Sequence, residues 1–107
     1  MVVQRFDVFL VTLDPTVGSE IQKTRPCVVV SPDEMNRQVR TVIIAPMTTQ
    51  GQNYATRIPC LFNGKSGHIA LDQIRTVDKR RVGRNLGTIT ESEQEAVLEG
   101  LADLFAE

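Results

Sequence analysis

The chain has 107 residues, 41% hydrophobic and 23% charged, with a formal net charge of −1, which is enough core for one domain and excludes a low-complexity or disordered polypeptide. No apolar run approaches the roughly eighteen residues that cross a bilayer, and the N-terminus MVVQRFDVFLV lacks a basic n-region and an A-x-A-like cleavage site, so it reads as a first strand of a cytoplasmic protein. The near-neutral total hides a segregation: residues 91–107 hold 6 of the 13 acidic side chains and no Lys or Arg, leaving residues 1–90 with all 12 basic groups against 13 − 6 = 7 acids, so a basic body suited to an anion carries an acidic tail.

Residues 5–13, rich in Val, Leu and Phe, are predicted as the first strand. DPTVGSEIQK supplies Asp-Pro and Gly turn chemistry. A second strand over 24–31 is stopped by Pro32, PDEMNRQ is a short connection, and 39–47 is a third strand. TTQGQNYA is a polar loop. TRIPCLF is a fourth strand whose Pro59 marks an edge position or a bulge. NGKSG is a tight turn, HIALDQI a fifth strand, TVDKRRVGR a basic helical turn or loop, and NLGTI a last short strand. Thr90 as N-cap and Glu93 three residues on match a capping box, after which Val97, Leu98, Leu101, Leu104 and Phe105 recur at helical spacing. Glu91, Glu95, Glu99 and Asp103 stack at i, i+4, a repulsion of roughly a few tenths of a kcal/mol each that suits a solvated face. Many short strands and then one helix predict a mainly β fold: a small, strongly bent antiparallel sheet or barrel covered by a C-terminal helix, one domain over 1–107. Phe6, Phe9, Phe62 and Phe105 are assigned to its core. Cys27 and Cys60, far apart and without C-x-x-C spacing, are expected to be reduced and buried.

The chemistry is narrowed by absence of motifs. One histidine, His68, makes no zinc cluster. Carboxylates show no D-x-D or EF-hand spacing, and there is no Walker A, G-x-G-x-x-G or G-x-S-x-G. No cofactor and no metal are expected, which leaves metal-free chemistry or plain binding. The polar residues that stand out lie at strand ends: Arg25, Thr48, Thr49, Asp72 and Arg75, where functional side chains often leave a rigid scaffold. Each also has a plain structural reading. The Arg25 stem could cover the sheet, Thr48 and Thr49 form loops readily, and Asp72 and Arg75 could pair. His68 alternates with Ala70 and Asp72, placing all three on one side of a strand; it reads as a structural histidine or as a proton-transfer group. Lys79, Arg80, Arg81 and Arg84 are the densest basic stretch, for phosphate contact or simply solvated. Tyr54 offers a ring on which a base could stack.

Three blocks in order, LDPTVGSEIQKTRPCVVVSP, APMTTQ and LDQIRTVDKRR, resemble the MazF/PemK toxins of bacterial toxin–antitoxin systems, and the resemblance covers nearly the whole chain. It implies an SH3-like barrel with a C-terminal helix, forming a homodimer. It further implies a sequence-specific, metal-independent endoribonuclease that cuts single-stranded RNA, chiefly mRNA, by 2′-hydroxyl attack on the adjacent phosphate and so arrests translation. A MazE/PemI-like antitoxin with an acidic, flexible tail would neutralise it. By position, Arg25 and Thr48 match the family's catalytic arginine and threonine. A guanidinium fork matches two phosphate oxygens, while its pKa of about 12.5–13.8 makes charge stabilisation its firmer role than proton transfer. Asp72, Ser19, Thr49 and Gln50 are further catalytic or RNA-contacting candidates. Glu20, Lys23, Tyr54, Arg57, Arg75, Lys79, Arg80 and Arg81 are candidate RNA-binding residues. Some family members carry a histidine where this chain has Ser19 and an arginine where it has Ala70, so a mechanism built on that pair with the aspartate is not intact here. Two other functions compete: a CcdB-like inhibitor of DNA gyrase and a non-catalytic RNA-binding barrel.

Overall fold

A computed structural model describes residues 1–50 and 54–107, and at its centre lie three antiparallel strands buried on both faces. They are β1 (Asp7–Thr12), β2 (Thr24–Val29) and β3 (Thr41–Thr48). Their side chains alternate between two apolar clusters, as the two-residue period of a strand requires. Phe9, Val11, Cys27, Val29, Val42 and Ile44 fill one. Val8, Val28, Ala45 and Met47 fill the other, with Ile58, Ile69, Leu71 and Val97. That is why these strands read as unbroken apolar runs in the sequence.

The sheet is a curled half-barrel of seven strands, completed by β4 (Arg57–Phe62), β5 (Lys65–Ala70), β6 (Arg75–Asp78) and β7 (Val82–Thr88). The strand order is β4-β5-β3-β2-β1-β7, with β6 also pairing with β3. β4 is at the edge, as Pro59 predicts. The β4–β5 turn narrows to Asn63–Gly64, both at positive φ (49° and 79°), the two-residue hairpin an Asn-Gly pair favours. The C-terminal helix α2 (Glu91–Phe105) starts at the expected capping box: the Thr90 hydroxyl accepts from Glu93 N–H and the Glu93 carboxylate accepts from Thr90 N–H. Val97 is fully buried against the sheet, and Glu91, Glu95, Glu99 and Asp103 face solvent. At Gly100 a Cβ would lie 2.6 Å from Leu71 Cδ1, so helix and sheet approach closely there.

Four elements depart from the sequence expectation. The connection after Pro32 is a helix, α1 (Asp33–Gln38), tied down by buried Asn36, whose Nδ2 donates to Ser31 O and whose Oδ1 accepts from the Ser31 hydroxyl. β5 ends at Ala70, and Leu71–Gln73 form a 3-10 turn. The basic segment after it does contain a helical turn, a 3-10 turn over Lys79–Arg81, but strands flank it, β6 before and the first half of β7 after. β5 pairs with Met47 and Thr48 of β3, and β6 pairs with Thr41 to Ile44. Between them the ladder breaks at Ala45–Pro46, where Pro46 has no N–H to donate, and the chain swings out through Leu71–Gln73. Phe105 is not a core residue: it ends α2 and is 72% exposed, while Phe9 is buried and Phe6 and Phe62 are half-buried. Residues 51–53 of the predicted polar loop lie outside the described residues.

Candidate active site

The β2–β3 register brings the two leading candidates together. Cys27 pairs with Pro46; continued two residues outward, that register sets Arg25 opposite Thr48, and partners of this kind share a face. Both line a cleft of about 460 Å³ that also takes Lys23, Thr49, Phe62, Lys65, Ser66 and Gly67. Its cations are Lys23, Arg25 and Lys65, and among the described residues no carboxylate lines it.

Arg25 is half-buried, its stem held by the extended Arg25-Pro26 backbone at the start of β2. Its Nε–H donates to Gln22 O at 3.0 Å. That bond fixes the plane of the guanidinium, and the terminal nitrogens meet no hydrogen-bond partner among the described residues. Thr48 is 9% exposed. Its hydroxyl accepts from Gln50 N–H (3.1 Å) and donates to Gln50 O (3.2 Å), closing a local turn at the end of β3. β5 presses against this point, since a Cβ on Gly67 would lie 2.6 Å from Thr48 O. Only glycine permits that approach.

The cleft also lacks a thiol nucleophile. Burial pushes the Cys27 thiol up to about 12 and, with a smaller push from Glu93, the Cys60 thiol up to about 11. Both are free cysteines, protonated near neutrality; Cys60 is half-buried rather than buried.

Other candidates fall elsewhere. Ser19, Glu20, Asp72 and Arg75 line a second cleft of about 660 Å³ on the other side of Pro46. Asp72 does not share a strand face with His68, because β5 stops before it. Nor does it pair with Arg75: it forms a two-pronged ion pair with Arg57 (Nε–Oδ1 2.7 Å, Nη2–Oδ2 3.0 Å) and accepts from the Thr56 hydroxyl. The Arg57 hydrogen bonds hold its carboxyl below the usual 3.8. Arg57 in turn lies 5.8 Å from the centroid of the half-exposed Tyr54 ring. Arg75 donates to Leu13 O. The basic run is largely used internally: Lys79 donates to Asn36 O, Arg80 pairs with Asp78, and Arg81 donates to Thr12 O and Asp14 O. None of the three lines either cleft. His68 is the cross-strand partner of Thr48 but faces a neighbouring depression with Pro59, Leu61 and Glu93, and its buried Nδ1 has no hydrogen-bond partner among the described residues.

Sequence reasoning missed Phe62, Lys65 and Ser66 as cleft residues, having placed them in core and turn. The signal was the Asn-Gly pair: a two-residue hairpin starts β5 at Lys65, which turns Lys65 and Ser66 into strand residues that line the same cleft as Thr48.

The profile of the PemK-like, MazF-like toxins of type II toxin–antitoxin systems matches residues 4–105. The chain is 33% identical to the endoribonuclease PemK of Escherichia coli, over 95% of this chain and 81% of that protein. It is 38% identical to the endoribonuclease MazF of Staphylococcus epidermidis, over 84% of this chain and 80% of that one. In fold it is similar to MazF from Deinococcus radiodurans, with a TM-score of 0.86 at 24% identity over 97% and 96% of the two chains. It is also similar to an endoribonuclease in complex with its cognate antitoxin from a mycobacterial species, at 0.79 and 22% over 94% and 92%.

Proposed function

The chain belongs to the PemK-like, MazF-like toxin family and is an endoribonuclease toxin, and from that premise we propose that it cuts single-stranded RNA without metal in the Arg25–Thr48 cleft. One observation carries the placement: Arg25 and Thr48 share a cleft with two further cations, Lys23 and Lys65, and among the described residues with no carboxylate, a setting that favours a phosphodiester over a neutral or cationic ligand.

RNA brings its own nucleophile. The 2′-oxygen forms a bond to the adjacent phosphorus and gives up its proton, while the bond to the 5′-oxygen breaks and that oxygen takes a proton. The products are a 2′,3′-cyclic phosphate, which can open to a 3′-phosphate, and a 5′-hydroxyl. Charge builds on the phosphoryl oxygens between these events, and donors already aimed at that charge lower the barrier. The two terminal nitrogens of Arg25 suit two such oxygens. The Thr48 hydroxyl donates to one of the same two oxygens by turning its proton from Gln50 O to the phosphate. Lys23 and Lys65 would hold flanking phosphates, and Phe62 offers a ring against which a base packs. Asp72, ion-paired and in the other cleft, is poorly placed to accept a proton near neutrality.

The acidic C-terminal tail of a cognate antitoxin fits the same cationic cleft, which makes occlusion of the cleft the mode of neutralisation; the working unit is a homodimer in the cytoplasm. Among the described residues no helix is long and apolar enough to cross a membrane. Incubation of the purified protein with a long single-stranded RNA in EDTA tests the reading. Discrete cuts with 5′-hydroxyl ends are expected. Absence of cutting, with gyrase–DNA complexes trapped instead, would replace it with the CcdB-like function, and binding without cutting would leave a non-catalytic barrel.

A further inference from the structure

The first loop, residues 13–23, leads directly into Arg25 and is held by side chains from the segment that follows β5. Arg81 Nη1 donates to Thr12 O and Asp14 O, and Arg75 Nη1 donates to Leu13 O at 3.0 Å. These ties fix the near end of the loop. At the far end Leu13 N–H donates to Lys23 O at 2.9 Å, and ahead of that bond residues 19–21 are held by the side chain of Gln73. Its Oε1 accepts from Ile21 N–H at 2.6 Å and its Nε2 donates to Ser19 O at 3.3 Å. A primary amide serves a main-chain donor and a main-chain acceptor at once. One residue beyond Ile21, Gln22 O receives the Nε–H of Arg25 at 3.0 Å. A guanidinium has one Nε–H; engaging it sets the plane of the fork and leaves the terminal nitrogens for a phosphate.

We propose that Gln73 is a positioning residue for cleavage: it clamps residues 19–21, so that Gln22 O stays where it orients the Arg25 guanidinium. This rests on the reading of Arg25 as the phosphate-stabilising group. Gln73 lines the second cleft, away from Arg25 and Thr48, and it acts through the loop rather than on the phosphate.

Two measurements on the full-length protein test the clamp. In the first, solvent exchange of the Arg25 Nε–H is followed by NMR without RNA. Gln73→Met, which keeps the length of the side chain and removes both hydrogen bonds, is expected to speed that exchange; an unchanged rate overturns the clamp. In the second, steady-state cleavage kinetics are measured for Gln73→Met, Arg25→Lys and the double variant. Gln73→Met is expected to lower kcat by about tenfold with KM little changed, since a small misplacement of a reacting group costs rate before it costs binding. In the Arg25→Lys background it is expected to cost nothing further. A full multiplicative loss in the double variant, or undiminished kcat in Gln73→Met alone, overturns the proposal. If Gln73→Met does not fold, Gln73→Glu keeps the acceptor for Ile21 N–H, loses the donor to Ser19 O, and is read the same way. If the wild-type protein cuts no RNA, the ribonuclease reading fails, and the exchange rate still decides whether Gln73 holds Arg25.

Discussion

Arg25 and Thr48 separate by the kind of loss each substitution should cause. Arg25→Ala removes the fork and its charge, and cleavage is expected to fall by at least the roughly 10²–10³-fold typical of a lost preorganised donor. The circular dichroism spectrum should be unchanged, because the buried part of β2 starts at Cys27; full activity in that variant would remove Arg25 from the site. Thr48→Val keeps the shape and loses the hydroxyl, whereas Thr48→Ser keeps the hydroxyl and should retain most of the rate. Asp72 poses the opposite case. Its pKa is lowered in the folded state by the hydrogen bonds from Arg57, so its contribution to stability is fully present above the unfolded value of 3.8 and is lost as the pH falls through the still lower folded value. The pair is partly exposed, 13% for Arg57 and 34% for Asp72, which limits its contribution to about 1 kcal/mol or less. Asp72→Asn is therefore expected to lower the melting temperature slightly at pH 7, to match the wild type once the pH is well below 3.8, and to keep cleaving RNA. Abolished cleavage with an unchanged melting temperature would restore Asp72 as a proton acceptor.

The elements that the sequence made legible are those whose local pattern and tertiary role agree. β1, β2 and β3 are apolar because both faces are buried, and α2 carries its own capping box. The elements that were misjudged depend on partners distant in sequence. α1 is six residues long with no side-chain cap, too short to show a helical period, and it holds because Asn36 bonds to Ser31. The alternation of HIALDQI suggests a strand through Ile74, yet the ladder opposite breaks at Pro46, and the chain turns at Leu71–Gln73. That turn moves Asp72 out of the Arg25 cleft and puts Gln73 under the first loop, a consequence no reading of residues 68–74 alone contains. Gly67 is the same lesson in one residue. Its place in a strand looks like a weakness until the Thr48 carbonyl appears 2.6 Å from where a Cβ would be. Gly67→Ala must push β5 off the end of β3, a backbone displacement costing about 1–3 kcal/mol by analogy with overpacked cores. Urea unfolding should show that loss, together with a fall in cleavage rate. A variant as stable and active as the wild type would mean that β5 does not support the cleft.

Across the whole molecule the charge segregation seen in the sequence survives folding, but it is finer than a basic body with an acidic tail. Six acidic residues and no basic ones fall in 91–107, and the i, i+4 carboxylates of α2 face solvent. Of the cations in the remainder, Arg57, Arg75, Lys79, Arg80 and Arg81 are tied to carbonyls or carboxylates of the protein itself, so the densest basic run is not the best anion site. Lys23, Arg25 and Lys65 are the cations that gather in a cleft free of carboxylates. The distinction is measurable through counterion release. Each phosphate neutralised on a single strand contributes about −0.7 to the slope of log K against log salt. Three contacts thus predict a slope of about −2, and three more from Lys79, Arg80 and Arg81 would bring it to about −4. Binding of a non-cleavable RNA carrying 2′-deoxy or 2′-methoxy sugars, measured across a salt series, is expected to give the shallower slope. Lys65→Ala is expected to reduce it by about 0.7 while Arg80→Ala leaves it unchanged. A flat response would mean that the cleft holds no phosphates, and the steeper slope with sensitivity at Arg80 would move the RNA path onto the segment after β6.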